Sequence, residues 1–178
     1  MVDRIGKQQN RLFGDQTEFV YYAPGAVRIA EKASAPVKDR SHTITTTIDL
    51  DGGEEGVIVA VGGMTGGFSM FIQNDRLVFD YNFLDGVHYV MESPPLPTGE
   101  TELRFNFTRS GDFAGTGELF VNGEKVGEVD MPAMHISTYS LAETFDVGRD
   151  TGTQVSRRYT DPFPFDGVLD RVTITLND

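Results

Sequence analysis

The segment from residue 68 to residue 83, FSMFIQNDRLVFDYNF, places the strongest constraint on the fold. Large apolar residues occupy every second position on both sides of Asn74-Asp75, which is the period expected of half-buried β-strands. Asn and Asp tolerate the positive φ of a two-residue turn, so the two strands should pair across them. The pairs that this register predicts share one face: Ile72 with Leu77, Met70 with Phe79, and Phe68 with Tyr81. The segment therefore predicts a hairpin with one buried side.

A third strand follows if Asp85-Gly86 forms another two-residue turn. That register places His88 beside Phe83 and Val90 beside Tyr81, on the apolar face. The opposite face then carries a mixed set of side chains: Phe71, Val78, Asp80, Asn82, Tyr89 and Met91. A sheet face in water is expected to be polar, so we interpret these six residues as a docking or binding face that a loop, another domain or a ligand covers.

The rest of the chain consists of similar short alternating segments between turns. The sequence has 20 Gly and 8 Pro, and it has no long run at helical spacing. About ten or eleven short strands predict an all-β domain of two packed antiparallel sheets, a sandwich of the jelly-roll type, with a closed barrel as the alternative. We expect one such domain at residues 17–178, after a polar linker or docking segment at residues 1–16.

Charge and composition exclude several classes of function. The formal net charge is −12, whereas nucleic-acid binding needs a basic surface, so we expect no nucleic-acid partner. The absence of cysteine removes disulfides, thiolate nucleophiles and Cys-ligated zinc. No apolar stretch approaches the ~18 residues of a membrane span, and the amino terminus lacks the apolar segment of a signal peptide. We expect a soluble chain without a membrane partner, periplasmic or secreted if a longer parent carries a signal peptide and otherwise cytoplasmic.

Several strings resemble known families when they are taken in order. The succession GVIVAVGG, GGFSMFIQNDRLVFDYNF, GETELRFNFTRSG, GTGELFVNGEKVGEV and FDGVLDRVTI resembles the laminin-G and concanavalin A-like sandwich family. The strings EFVYYAPGAVRI, VKDRSHTI, LAETFDVGRDTGTQVS and FPFDGVLDRVTI resemble the carboxy-terminal module that follows the catalytic domain in long bacterial arylsulfatases.

This resemblance implies a concanavalin A-like jelly roll that docks on a sulfatase domain of the same parent chain and shapes access to its substrate. It implies no catalysis by this segment. A sulfatase site needs Cys or Ser in a C/S-x-P-x-R context, and the sequence contains no such motif. The alternative is an independent lectin-like module that binds a glycan or a sulfated ligand.

We expect no enzyme activity and no cofactor in this chain alone. Glycoside hydrolases on this sandwich use paired acids on alternate strand positions, but Glu128-Val129-Asp130 is followed by Met131-Pro132 instead of a third acid. A Ser-His-Asp arrangement would need His42, His88 or His135. We interpret the first as a structural hydrogen bonder and the second as a core residue, and the third has no evident recruiting partner.

The loop from residue 146 to residue 159, DVGRDTGTQVSRRY, has the densest set of candidate ligands. Asp146 and Asp150 could offer hard oxygen ligands to calcium, which takes ~6–8 of them. The alternative is that these side chains form Asx-type turns that fix the loop. The laminin-G family often holds calcium with an Asp near the strand that here reads Gly67-Phe68-Ser69, and that ligand is missing. The arginines at 149, 157 and 158 could bind a sulfate or carboxylate.

Overall fold

The computed structural model describes residues 12–83 and 86–177, which form twelve strands in two six-stranded antiparallel sheets. The back sheet has the order β1-β12-β3-β8-β9-β10, with β1 Glu18–Tyr22, β3 His42–Leu50, β8 Gly99–Gly111, β9 Ala114–Val121, β10 Glu124–Met131 and β12 Arg171–Leu176. The front sheet has the order β2-β11-β4-β5-β6-β7, with β2 Ile29–Ala30, β4 Gly56–Gly63, β5 Gly66–Gln73, β6 Arg76–Asn82, β7 His88–Pro95 and β11 Thr144–Val147. This architecture confirms the predicted all-β sandwich. None of the helical turns within the described ranges is long and apolar enough to cross a membrane.

The core lies between the sheets and follows from the period-2 alternation of the strands. On β8, Leu103, Phe105 and Phe107 are buried, while Arg104 and Asn106 face out. The Phe79 ring of the front sheet stacks on the Phe105 ring of the back sheet, with 3.6 Å between centroids. The inner faces of both sheets therefore form one apolar layer.

The predicted hairpin is present with its predicted register. Ile72 pairs with Leu77, and the pairing continues to Phe68 opposite Tyr81. The turn residues Asn74 and Asp75 have φ values of 52° and 58°. Because Asn and Asp accept this left-handed conformation more readily than most residues, the turn chemistry and the strand pattern specify the same register.

The predicted register between β6 and β7 is wrong by one residue. His88 pairs with Asn82 instead of Phe83, and Val90 pairs with Asp80 instead of Tyr81. The connection is longer than a two-residue turn, since the Phe83 amide donates to the Val87 carbonyl. A one-residue shift moves every side chain of a strand to the other face. Tyr89 and Met91 consequently lie on the inner face, against the core between the sheets.

The core assignment predicts a large penalty for removing the ring of Phe79, which is only 1% exposed. We expect Phe79→Ala to lower the free energy of unfolding by ~3–5 kcal/mol, because the cavity it leaves lies between two packed sheets. The matched control is Val20→Ala on the outward face of β1, where the side chain is 40% exposed and the loss should be under ~1 kcal/mol. Denaturant melts of both variants measure the difference, and equal midpoints would contradict the assignment of faces.

Candidate functional site

The outer face of the front sheet is covered by residues 148–166, here called the covering loop. Phe71 and Val78 on the sheet are fully buried beneath Val155 and Tyr159 of this loop, in a second apolar cluster. The Phe71 ring meets the Tyr159 ring edge-on, with 5.0 Å between centroids. At its far end the covering loop returns to the sheet edge, where the Val57 amide donates to the Phe163 carbonyl. The loop thus acts as a third layer over the front sheet.

This arrangement changes the interpretation of the six residues predicted to form a docking or binding face. Phe71 and Val78 are inaccessible, and Asp80 and Asn82 are 2% and 4% exposed. The other two residues, Tyr89 and Met91, lie on the inner face because of the changed register. The six side chains therefore form no common exposed surface. The covering loop lies over Phe71 and Val78 and bonds Asp80, whereas Asn82 Nδ2 donates to the Gly63 and Met64 carbonyls at the β4–β5 turn.

Asp80 holds the covering loop against the sheet. Its Oδ2 accepts a hydrogen bond from the Ser156 hydroxyl at 2.5 Å, and its Oδ1 lies 2.7 Å from His88 Nδ1. This corrects the placement of His88, which is on the outer face and not in the core. The three residues are not a catalytic triad, because Ser156 donates to the carboxylate and not to the imidazole. No local pattern marks Ser156, which is 76 residues from Asp80.

Asp146 is buried and both of its oxygens accept hydrogen bonds. Oδ1 accepts from the Arg28 amide at 2.5 Å, and Oδ2 accepts from the hydroxyls of Thr144 and Thr151 at 2.9 and 2.8 Å. These contacts fix the segment but are not Asx turns, because Arg28 lies 118 residues away and the two threonines donate through their hydroxyls.

Asp150 is also buried, but only one of its oxygens has partners. Oδ2 accepts from the Val155 amide at 2.9 Å and from the Tyr159 hydroxyl at 2.6 Å, while Oδ1 is buried without a partner among the described atoms. Burial raises the pKa of Asp150 from 3.8 to about 6, and the nearby charges of Asp146 and Glu143 add to the rise. The carboxyl group is thus charged at neutral pH at a cost to stability.

The donor set around these two aspartates fits calcium poorly. Calcium takes ~6–8 oxygen ligands, and here one carboxylate oxygen, Asp150 Oδ1, lacks a hydrogen bond. Within residues 12–83 and 86–177, no three acidic or histidine side chains come together in a way that could hold a metal ion. The calcium site at Asp146 and Asp150 stays a prediction.

The other two histidines have structural surroundings. His42 Nδ1 lies 2.8 Å from the Arg40 carbonyl oxygen, in agreement with the structural hydrogen bond expected for it. His135 is 7% exposed, and its Nε2 has no partner among the described atoms. Its ring fits against Gly66, where a Cβ would come within 2.1 Å of Nε2. Desolvation by burial lowers the pKa of His135, which favours the neutral ring.

A buried ion pair fixes the loop from residue 132 to residue 143 at one end of the sandwich. Lys38 Nζ contacts Glu31 Oε1 and the Ser137 carbonyl, and lies 3.7 Å from the Tyr139 ring centroid. Glu31 Oε2 accepts from the Tyr139 amide at 2.9 Å. Desolvation lowers the pKa of Lys38, although the Glu31 charge opposes this effect. The polar loop 31–40 had no predicted role, because its partner lies about a hundred residues further along the chain.

Four exposed aliphatic side chains lie at this same end, here called the loop end. It comprises the β4–β5 turn, the β6–β7 turn and the 132–143 loop, which are joined by contacts such as Thr65 Oγ1 to the Tyr139 carbonyl at 3.3 Å. The exposed fractions are 62% for Met64, 45% for Val87, 64% for Ile136 and 97% for Leu141. None of these four side chains belongs to the hydrophobic core between the sheets.

The arginines of the covering loop differ in whether they form ion pairs. Arg158 forms an ion pair with Glu92 of β7. Arg157 is exposed and lies against the β6–β7 turn, where a Cβ on Gly86 would come within 2.9 Å of its Nη2. Arg149 is exposed as well.

No family model and no curated protein sequence matches this chain. Solved structures do match. One is a leech intramolecular trans-sialidase complexed with 2,7-anhydro-Neu5Ac, with a TM-score of 0.61 and 16% sequence identity over 90% of this chain and 25% of that chain. Another is the NanB sialidase from Streptococcus pneumoniae, with a TM-score of 0.61 and 14% identity over 90% of this chain and 27% of that chain. Domains LG4-5 of the mouse laminin α1 chain also match, with a TM-score of 0.54 and 12% identity over 93% of this chain and 40% of that chain. At these identities the likeness shows the fold alone, a laminin-G-like, concanavalin A-like sandwich, and the chain spans about a quarter of the sialidases.

The burial of Phe71 predicts that it stabilises this domain from within. We expect Phe71→Ser to lower the free energy of unfolding by ~3–5 kcal/mol, because it leaves a cavity and places a hydroxyl under the covering loop. Val90→Ser is the control, since Val90 lies on the same outer face but is 36% exposed. Chemical denaturation compares the two. A Phe71→Ser domain as stable as the control would mean that the loop does not seal this face.

The raised pKa of Asp150 predicts a pH dependence of stability. A carboxyl group with a raised pKa in the folded state adds stability below its unfolded pKa of about 4, and that stability is lost as the pH rises through about 6. Relative to Asp150→Asn, the native protein should therefore lose stability between about pH 4 and 7. Denaturant melts across this range measure the difference, and the titration of His135 cancels because both proteins contain it. A constant difference across the range would show that the pKa of Asp150 is not raised.

Proposed function

We propose that this chain is a non-catalytic accessory module of a larger enzyme, and that the enzyme is a bacterial arylsulfatase. The parent class is supported by the resemblance of the sequence strings to the module that follows the sulfatase domain. The modular role is supported by the fold, because the same sandwich makes up about a quarter of each sialidase chain that it matches. The chain lacks the C/S-x-P-x-R motif, so any sulfatase chemistry belongs to another part of the parent.

The observation that carries the docking role is the group of exposed aliphatic side chains at the loop end. Aliphatic side chains in water forgo roughly 25 cal/mol per Å² of surface, so four of them exposed at one end of the sandwich favour an interaction surface there. The buried Glu31–Lys38 pair and the Tyr139 ring fix the loop that carries Ile136 and Leu141. The loop end therefore offers a preorganised surface, which reduces the entropy lost on docking.

A second candidate function is glycan binding by an independent module. It is favoured by the exposed Arg157 and by His88, which shares the Asp80 carboxylate with Ser156, the residue before Arg157. The leech enzyme with this fold is complexed with 2,7-anhydro-Neu5Ac, so the sandwich occurs in proteins that act on glycans. This likeness concerns the fold, and the ligand site has to come from this chain's own residues.

The docking role predicts that Ile136→Ser combined with Leu141→Ser weakens the attachment of the module in the parent protein. The isolated module should keep its melting temperature, because both side chains are exposed in it. In the parent, limited proteolysis between the module and the catalytic domain should become several-fold faster as the apolar contact is lost. The measurement is the rate at which the two domains separate on a denaturing gel.

Val168→Ser is the matched control, because Val168 is 83% exposed and lies near the start of β4, at the end opposite to the loop end. It should leave the proteolysis rate unchanged. If the double variant behaves like this control, the loop end is not the docking surface. A native protein that runs on the gel at the 19.6 kDa of this chain alone would refute the accessory role itself.

A further inference from the structure

The Asp80 carboxylate holds His88, whose side chain is 13% exposed, near the segment of the covering loop that carries the exposed Arg157. It binds His88 Nδ1 through one oxygen and the Ser156 hydroxyl through the other, so the ring and the serine lie side by side. Arg157 follows Ser156 directly, and its guanidinium group lies against Gly86, two residues before His88. A buried carboxylate, itself 2% exposed, thus fixes His88 relative to Ser156, the residue before Arg157.

The guanidinium group of Arg157 and Nε2 of His88 have no hydrogen-bond partner among the described residues. Arg157 forms no ion pair or hydrogen bond with the described residues, although the protein has 27 acidic side chains against 15 basic ones. The neighbouring Arg158 shows the contrast, since it is paired with Glu92. His88 uses Nδ1 for Asp80, while its Nε2 has no partner in the described part of the chain and is not sealed from solvent.

We propose that His88 and Arg157 form a binding site for an acidic sugar. The planar guanidinium group of Arg157 binds the carboxylate or sulfate through paired N–H donors. Nε2 of His88 forms a hydrogen bond with a neighbouring sugar hydroxyl, which can donate or accept, while Nδ1 stays bound to Asp80. A ligand that satisfies both groups carries an acid group and a hydroxyl, as an acidic sugar does. This inference rests on the second candidate function, glycan binding. Its test uses the isolated chain, so the result does not decide whether the parent protein docks through the loop end.

Three ligands with one sugar ring test the site: glucose, glucuronate and glucose 6-sulfate. Each is titrated into the isolated chain at low ionic strength and followed by isothermal titration calorimetry or by NMR of labelled arginine side chains. We expect binding of at least one acidic sugar and no binding of glucose. Arg157→Gln should weaken that binding at least about tenfold, since a hydrogen bond to a charged group is lost. The preference between glucuronate and glucose 6-sulfate identifies the acid group.

Arg149→Gln is the control, because it removes the same charge from an exposed position of the same loop. Unchanged affinity in this variant supports a local site at Arg157, whereas an equal loss in both variants would overturn it in favour of a general charge effect. His88→Gln should weaken binding as well, provided that its melting temperature shows a folded protein. Failure of both acidic sugars to bind the native chain would overturn the proposal and leave the docking role untouched. Binding of glucose as tightly as the acidic sugars would support glycan binding but refute this site.

Discussion

The structure depends on keeping water away from the outer face of the front sheet. That face carries Phe71 and Val78 at strand centres, and one loop covers it. Three buried carboxylates hold the loop: Asp80, Asp146 and Asp150. A buried carboxylate is costly unless hydrogen bonds replace its hydration, and each of the three accepts such bonds from groups distant or nearby in the chain. The carboxylates hold the loop over the apolar face, and the loop in turn keeps water from Phe71 and Val78.

The parts of the fold that were predictable are those specified by local chemistry. Strand alternation and the Asn74-Asp75 turn gave the β5–β6 pairing correctly, because turn type and hydrophobic pattern agree there. The β6–β7 pairing failed because Asp85-Gly86 has the composition of a two-residue turn, whereas the Phe83–Val87 hydrogen bond closes a longer connection. The hydrophobic pattern did not prevent this error. Val90 is apolar at an even position and Met91 at an odd one, so either face of the strand could be the buried one.

The candidate site was predictable only in part, for a related reason. The 146–159 loop was marked as unusual by its Asp, Thr and Arg content, and the contacts of Asp146 with Thr144 and Thr151 are short-range. The anchoring role of Asp80 could not be inferred, because its partner Ser156 is brought to it by tertiary folding alone. The same is true of Glu31 and the Tyr139 amide, 108 residues apart. Local patterns identify which segments are special, and long-range packing decides what they contact.

The position of the covering loop also has a consequence for the order of folding. Its anchors to the sheet join Ser156 with Asp80 and Tyr159 with Ser69, which are 76 and 90 positions apart, and the last strand, β12, lies between β1 and β3. Contacts of such separation form late, because the loops that they close are long. During synthesis the front sheet can pair before its cover has emerged, with Phe71 and Val78 in water. A nascent or truncated chain at that stage exposes an apolar sheet surface. We therefore expect incomplete chains to aggregate more readily than the finished domain.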